Sequence, residues 1–265
     1  MLKDITIGQF FPGDTIIHRL DPRIKIIIVS LFIASLFFVD SFIPYIFVLG
    51  FILAVVNISK VPLKFILKGL KPLLFIILIT FIINVLMTKG EVLVEFGPLV
   101  ITKEGLYLAV FMALRLVFLI TGTSLLTLTT SPIALTDGIE KLLSPFKKIG
   151  LPAHELAMMM TIALRFIPTL LEETDKIMKA QMARGADFES GNILSRAKNL
   201  VPLLVPLFIN AFRRADELAT AMEARCYRGG DNRTRLNELK LKRLDIVSLI
   251  SMTIFFGLII YTRYI

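Results

Sequence analysis

Apolar residues run along this chain in blocks too long and too unbroken for a soluble core, and the polar punctuation between them divides it. Two such blocks, 24–39 and 42–57, are separated only by Asp40 and Ser41, which makes them a tight helical hairpin. At about 1.5 Å per residue each is slightly short for a hydrocarbon layer of about 30 Å, so flanking residues must complete the crossing. Next, SKVPLKFILKGLK (residues 59–71) carries Lys60 and then Lys64, Lys68 and Lys71 at helical spacing, and reads as a short interfacial segment. Blocks 72–88, 106–128 and 244–261 are the third, fourth and last expected spans. Between the third and fourth the period shortens to that of a strand. Val92, Val94 and Phe96, then Gly97-Pro98, then Val100 and Thr102 predict a small exposed β-hairpin.

The interval before the last span has a different texture. Three helices are predicted there, over 133–148, 153–183 and 193–224. Ser131-Pro132 offers the first an N-cap and a proline at the first helical position, and Leu151-Pro152 opens the second. Gly150, Gly185 and Gly191 separate them, while Pro168, Pro202 and Pro206 should bend the long ones. Within them, 151–171 and 200–212 are oily enough to pass for spans. Charge argues against a crossing. Lys141, Lys147 and Lys148 precede the first stretch and Lys176, Lys179, Arg184, Arg196 and Lys198 follow it, so crossing would strand one basic cluster outside. The second stretch is too short to span. Both are expected to lie under or partly within the cytoplasmic leaflet; two further spans are the alternative.

Composition agrees with this reading. The 265 residues are 55% hydrophobic with a mean hydropathy of +0.77, as an integral membrane protein requires. The net charge of +9 points first to loops facing anionic lipid. No interleaving of aromatic and basic residues supports a nucleic-acid partner. Basic residues gather in the lead (Arg19, Arg23, Lys25), in 60–71 and in 141–243. The Asp40 turn has none, and 89–104 sets Lys89 and Lys103 against Glu91, Glu95 and Glu104. Five crossings with the N-terminus in the cytoplasm and the C-terminus outside satisfy all of these. The opening MLKDITIGQFFPGD lacks the apolar core of a signal peptide, so no cleaved leader is expected. The expected architecture is therefore an all-α polytopic membrane protein: a lead (1–23), four spans (24–128), a cytoplasmic domain of three long helices (129–243) and a last span (244–265).

One stretch of the cytoplasmic domain occurs twice. TDKIMKAQMARGADF at 174–188 and ADELATAMEARCYRG at 215–229 match at Asp175/Asp216, Ala180/Ala221, Ala183/Ala224 and Arg184/Arg225, a constant offset of 41 (225 − 184). Each copy reads as the last turns of a long helix followed by a glycine or a glycine-rich stretch. Small alanines let another backbone approach, and a guanidinium at a helix C-terminus is favoured by the dipole and can grip a carboxylate with two prongs. Two similar plugs fit two similar sockets. A pair of ordinary surface helix ends is the alternative reading of so short a match.

At these residues the chain closely resembles the transmembrane T component of energy-coupling factor (ECF) transporters. The resemblance rests on PGDTIIHRLDPRIK at 12–25, LRFIPTLLEETDKIMKAQMARGADF at 164–188 and LVPLLVPLFINAFRRADELATAMEARCYRGG at 200–230. It covers nearly the whole chain. It implies a complex with two ABC-type ATPases and a small membrane protein that captures the substrate, commonly a vitamin. ATP would be bound by those ATPases, and no cofactor by this chain. The family's two Ala-Arg-Gly motifs, which sit in grooves of the ATPases, fall here on Ala183, Arg184 and Gly185 and on Ala224, Arg225 and Cys226. Cys226 departs from the pattern. If it must take the left-handed conformation that ends a helix, it should cost about 1–2 kcal/mol; Gly229 and Gly230 could end the helix later instead.

Other candidates are weighed against plainer roles. Arg115 lies within the fourth span, where it could anchor a partner, pair with Asn84 or snorkel. Arg165 with Glu172, Glu173 and Asp175 is expected to knit helices together, and His154 beside Glu155 to pack a helix start. Asp14, His18, Arg19, Asp21 and Arg23 are expected to brace the membrane helices against the cytoplasmic ones. Cys226, the single cysteine, excludes an intrachain disulfide. There is no Gly-x-x-x-x-Gly-Lys phosphate loop, Gly-x-Ser-x-Gly elbow or His-Glu-x-x-His pair, so no enzyme is expected. A self-sufficient secondary carrier would want paired intramembrane acids, which are missing. A membrane-bound lipid enzyme would want a catalytic set.

Overall fold

A computed structural model describes residues 10–96, 99–188, 192–230 and 239–263. In chain order these form α1 (Pro22–Phe37), α2 (Ile43–Ser59), α3 (Leu63–Leu70), α4 (Leu74–Met87), β1 (Val92–Phe96), β2 (Leu99–Thr102), α5 (Lys103–Thr129), α6 (Pro132–Leu143), α7 (Ala153–Ala183), α8 (Ile193–Ala224) and α9 (Arg243–Tyr261). They fall into two compact units, one drawn from Gly8–Gly138 with Asn237–Ile265, the other from Ile139–Leu236. Gly191 and the Gly97-Pro98 turn lie outside the described residues.

The first unit is a bundle in which successive helices reverse direction. α1 begins at Asp21, whose side chain accepts from Arg23 N and caps the helix ahead of Pro22 at its first position. α1 and α9 run parallel. Asp21 N donates to Asp245 Oδ1 at 2.8 Å where both begin, and Arg263 pairs with Asp40 at 3.0 Å where both end. α5 is antiparallel to α1, with Lys25 Nζ donating to Thr129 O at one end and Arg115 Nη2 to Val39 O at the other. A continuous core from Phe32 and Leu36 through Val48, Ile52, Phe118 and Leu125 to Met252 and Ile259 holds the bundle together. Five traversals, α1, α2, α3 with α4, α5 and α9, thus close on one another.

Length and composition alone select a different set. Four helical stretches qualify as membrane spans, namely Leu63–Met87, Lys103–Thr129, Ala153–Ala183 and Arg243–Tyr261. At 16 and 17 residues, α1 and α2 are too short, although their packing partners are the spanning helices. The stretch expected as an interfacial segment at 59–71 contains α3, joined to α4 through a short 3₁₀ turn, so that length and composition count Leu63–Met87 as one apolar stretch. α7 qualifies although its charges place it outside the bilayer in the reading above. The β-hairpin forms where the alternation predicted it, antiparallel with a bulge between Val92 and Val94. Thr102 then caps α5, accepting from Gly105 N and donating to Thr88 O.

Arg115 does not pair with Asn84, which donates to Thr80 O on its own helix. Its guanidinium instead caps the carbonyl end of α1 at 2.8 Å and lies over the Phe111 ring at 4.9 Å. Both contacts suit a cation at a helix C-terminus. The polar lead closes within this unit: Arg19 pairs with Asp14, His18 with Thr15 and the Phe11 carbonyl, and Arg23 grips Asp21 with both prongs. Its brace runs to Asp245 on α9, a buried carboxylate that also accepts from Lys242 N. Burial pushes the Asp21 carboxyl up, but the Arg23 hydrogen bonds and charge outweigh it, and the group ends below its ordinary value.

Candidate functional site

The second unit is built on α7 and α8, of 31 and 32 residues. They pair antiparallel. Asn210 Nδ2 donates to Glu173 Oε1 at 2.7 Å, and Arg214 faces the same carboxylate at 3.6 Å. Pro206 has no N–H to give the carbonyl of Pro202, and Gln181 Nε2 donates to that oxygen from α7 at 3.2 Å. Asn199 Nδ2 reaches Asp187 O just beyond the end of α7. The helix-knitting role expected of the acidic cluster therefore belongs to Glu173, while Asp175 bonds Lys179 along its own helix.

The pairing puts the two copies of the repeat at opposite ends of the helix pair. Arg184 lies between Gln181 and Asp187, which touch Pro202 and Asn199 near the start of α8, and Arg225 ends α8. At 1.5 Å per residue, the stretch of α8 between them sets the arginines roughly 35–40 Å apart.

Both copies finish in the same way. Gly185 N donates to Met182 O and Ala186 N to Gln181 O; Cys226 N donates to Glu223 O and Tyr227 N to Met222 O. These are two complete Schellman caps in which Arg184 and Arg225 are equivalent cap residues. The residue after each takes a left-handed conformation, φ +89° at Gly185 and +55° at Cys226. Cys226, and not the later glycines, therefore ends α8. All six residues of the two tips are exposed. Among the described residues no hydrogen bond or ion pair engages either guanidinium, so each is presented outward by a rigid cap.

The sequence comparisons show which family the chain belongs to. A family model described as "CbiQ: Cobalt transport protein" matches residues 13–236. A Thermosediminibacter oceani protein named "Energy-coupling factor transporter transmembrane protein EcfT" is 64% identical over 250 residues, covering 94% of each chain. Relatives of the same name from Clostridium kluyveri and Bacillus subtilis are 66% identical over 250 residues and 49% identical over 264. The matches cover 94% of this chain and 93% of the first relative, and 99% of this chain and 100% of the second. The chain belongs to the EcfT family.

It is thus a multi-pass transmembrane component of an energy-coupling factor transporter. Two further features of this EcfT chain stand out in the second unit. Behind the Arg225 tip, His154 at the start of α7 contacts Glu140 Oε1 through Nδ1 at 3.1 Å and the Tyr227 hydroxyl through Nε2 at 3.2 Å. Gly230 lies against the imidazole, where a Cβ would collide with the ring. His154 thus packs a helix start, held by Glu140 and Tyr227. Tyr227 escaped the sequence reading; its one signal was that it replaces Ala186 at the matched position after the cap.

The other feature is how little this unit buries. Among the described side chains of α7 and α8, only Ala153, Ala157 and Leu203 are buried. Val201, Leu204, Val205, Phe208, Ile209 and Phe212 form one exposed helical stripe. A pair of helices with so little core of its own relies on lipid or protein to cover that face.

Proposed function

We propose that this EcfT-family chain joins two ATPases, one at each arginine tip, to a small substrate-binding membrane protein, and so drives uptake of a vitamin or related micronutrient. The observation that carries this reading is the pair of identically capped, exposed arginines at the two ends of one antiparallel helix pair. Equal plugs suit equal sockets, and a bidentate guanidinium meets a carboxylate or helix-end carbonyls in an ATPase groove. ATP is bound and hydrolysed by those partners; this chain supplies no catalytic group and no cofactor site.

When the ATPases close on nucleotide, the tips move, and the stiff helices carry the displacement to the apolar stripe of α8 and to residues 153–171 of α7. That surface grips the substrate-binding subunit and tilts it. Specificity then resides in that other polypeptide, which accounts for the absence of a cargo in the relatives' shared name. The second unit and the N-terminus face the cytoplasm and the C-terminus faces outside. α7 stays out of the bilayer core because its second half carries Glu172, Glu173, Asp175, Lys176 and Lys179.

The test is co-purification from cells of a tagged chain carrying both Arg184→Glu and Arg225→Glu. The double variant is expected to reach the membrane and to leave both ATPases behind. Retention of both by the double variant overturns the coupling role of the tips.

A further inference from the structure

The turn between α6 and α7 has no place in the coupling scheme, yet it presents the most exposed large apolar side chain in the described residues. Ile149 is 82% exposed and Phe146, three residues earlier, 51%. Both lie on a short 3₁₀ turn, Ser144–Ile149, which Gly150 stops with a φ of +90°. With Leu143, Gly150, Leu151 and Pro152 they line an apolar hollow of about 360 Å³. The exposed Lys141 and Lys148 flank these residues along the chain, and residues 141–152 contain no acid. The nearest preceding acid, Glu140, is directed at His154; Glu155 follows a turn of α7 later.

We infer that this turn is a membrane anchor, inserting Phe146 and Ile149 into the headgroup region of an anionic leaflet while Lys141 and Lys148 meet lipid phosphates. Bulky apolar tips flanked by cations of one sign are what an anionic lipid surface recognises. A protein partner is the less suitable occupant, because lysine is depleted from the desolvated centres of protein interfaces. The anchor is weak by itself. In a multi-pass protein, however, the leaflet is always at hand, so a weak contact suffices to restrain the second unit. The inference needs the cytoplasmic placement of this unit but not the ATPase partnership.

The chain contains no tryptophan, so a single one reports its own surroundings. Ile149→Trp, and separately Phe146→Trp, are placed in the full chain and reconstituted in nanodiscs. Both positions are exposed, so the fold tolerates the change. In discs containing phosphatidylglycerol, emission is expected to be quenched by lipids brominated on the acyl chain and shielded from aqueous acrylamide. In purely phosphatidylcholine discs the lipid quenching should fall. Adding Lys141→Gln and Lys148→Gln should remove the preference for phosphatidylglycerol, about fivefold for each lysine. Full acrylamide quenching in anionic discs overturns the inference, as does lipid quenching that ignores headgroup charge. So does shielding that arises only when the partner subunits are added, which would make the turn a protein contact.

Discussion

Cys226 occupies, with a side chain, a backbone position that Gly185 occupies without one. A left-handed non-glycine residue costs about 1–2 kcal/mol, so Cys226→Gly should stabilise the chain by about 1 kcal/mol, and Gly185→Ala should destabilise it by a similar amount. Chemical denaturation in detergent, followed by circular dichroism, measures both; equal stability of Cys226→Gly and Cys226→Ala would contradict the strain argument. Asp21 offers a pH test. Its carboxyl titrates below its ordinary value in the folded chain, so the stability it adds is fully present above about pH 3.9, the unfolded value, and is lost as pH falls through the lower folded one. Asp21→Asn should therefore lower the melting temperature at pH 6, by the equivalent of about 2 kcal/mol for lost charged hydrogen bonds. The gap to the parent should close in more acidic buffer. At this scale the positions of the arginines and of Cys226 were legible in the 41-residue repeat. The partners of Arg115 and His154 were not, because Val39, Glu140 and Tyr227 are distant in sequence and no local pattern announces them.

Among the elements, the hairpin and the three helices of the second unit could be read from period and punctuation alone. Alternation at Val92, Val94 and Phe96, and a proline or glycine beside every helix boundary there except the end of α8, are local signals. The span set was harder. α1 and α2 were legible as a hairpin from the two apolar blocks around Asp40 and Ser41 but are short, and their packing partners on α5 and α9 are far along the chain, whereas α7 is apolar enough to pass by composition yet packs through Glu173 and Gln181 against α8. The contacts among His154, Glu140 and Tyr227 brace the second tip, and Ala186 gives the first no such hold. His154→Ala and Tyr227→Phe should thus loosen only the second tip. Spin labels at the native Cys226, and at Ala186→Cys in a Cys226→Gly background, provide the measurement. Greater nitroxide mobility at 226 with no change at 186 is expected; equal changes at both would show that the brace is not local.

For the molecule as a whole, the two units divide the work. One has a continuous core that joins α1, α2, α5 and α9; among the described residues the other buries almost nothing and spends its surface on tips, stripe and turn. Among the described residues its apolar side chains stay largely uncovered, which is why length and composition alone let α7 pass for a membrane span. The stripe should matter for one partner only: Phe208→Glu with Phe212→Glu is expected to lose the substrate-binding subunit while keeping the ATPases, as co-purification would report. The central claim is one ATPase per arginine. Native mass spectrometry of the purified complex counts ATPases directly in the parent, in Arg184→Glu, in Arg225→Glu and in the double variant. The account predicts two, one, one and none; two ATPases bound to the double variant, or both lost from either single variant with the fold intact, would contradict it.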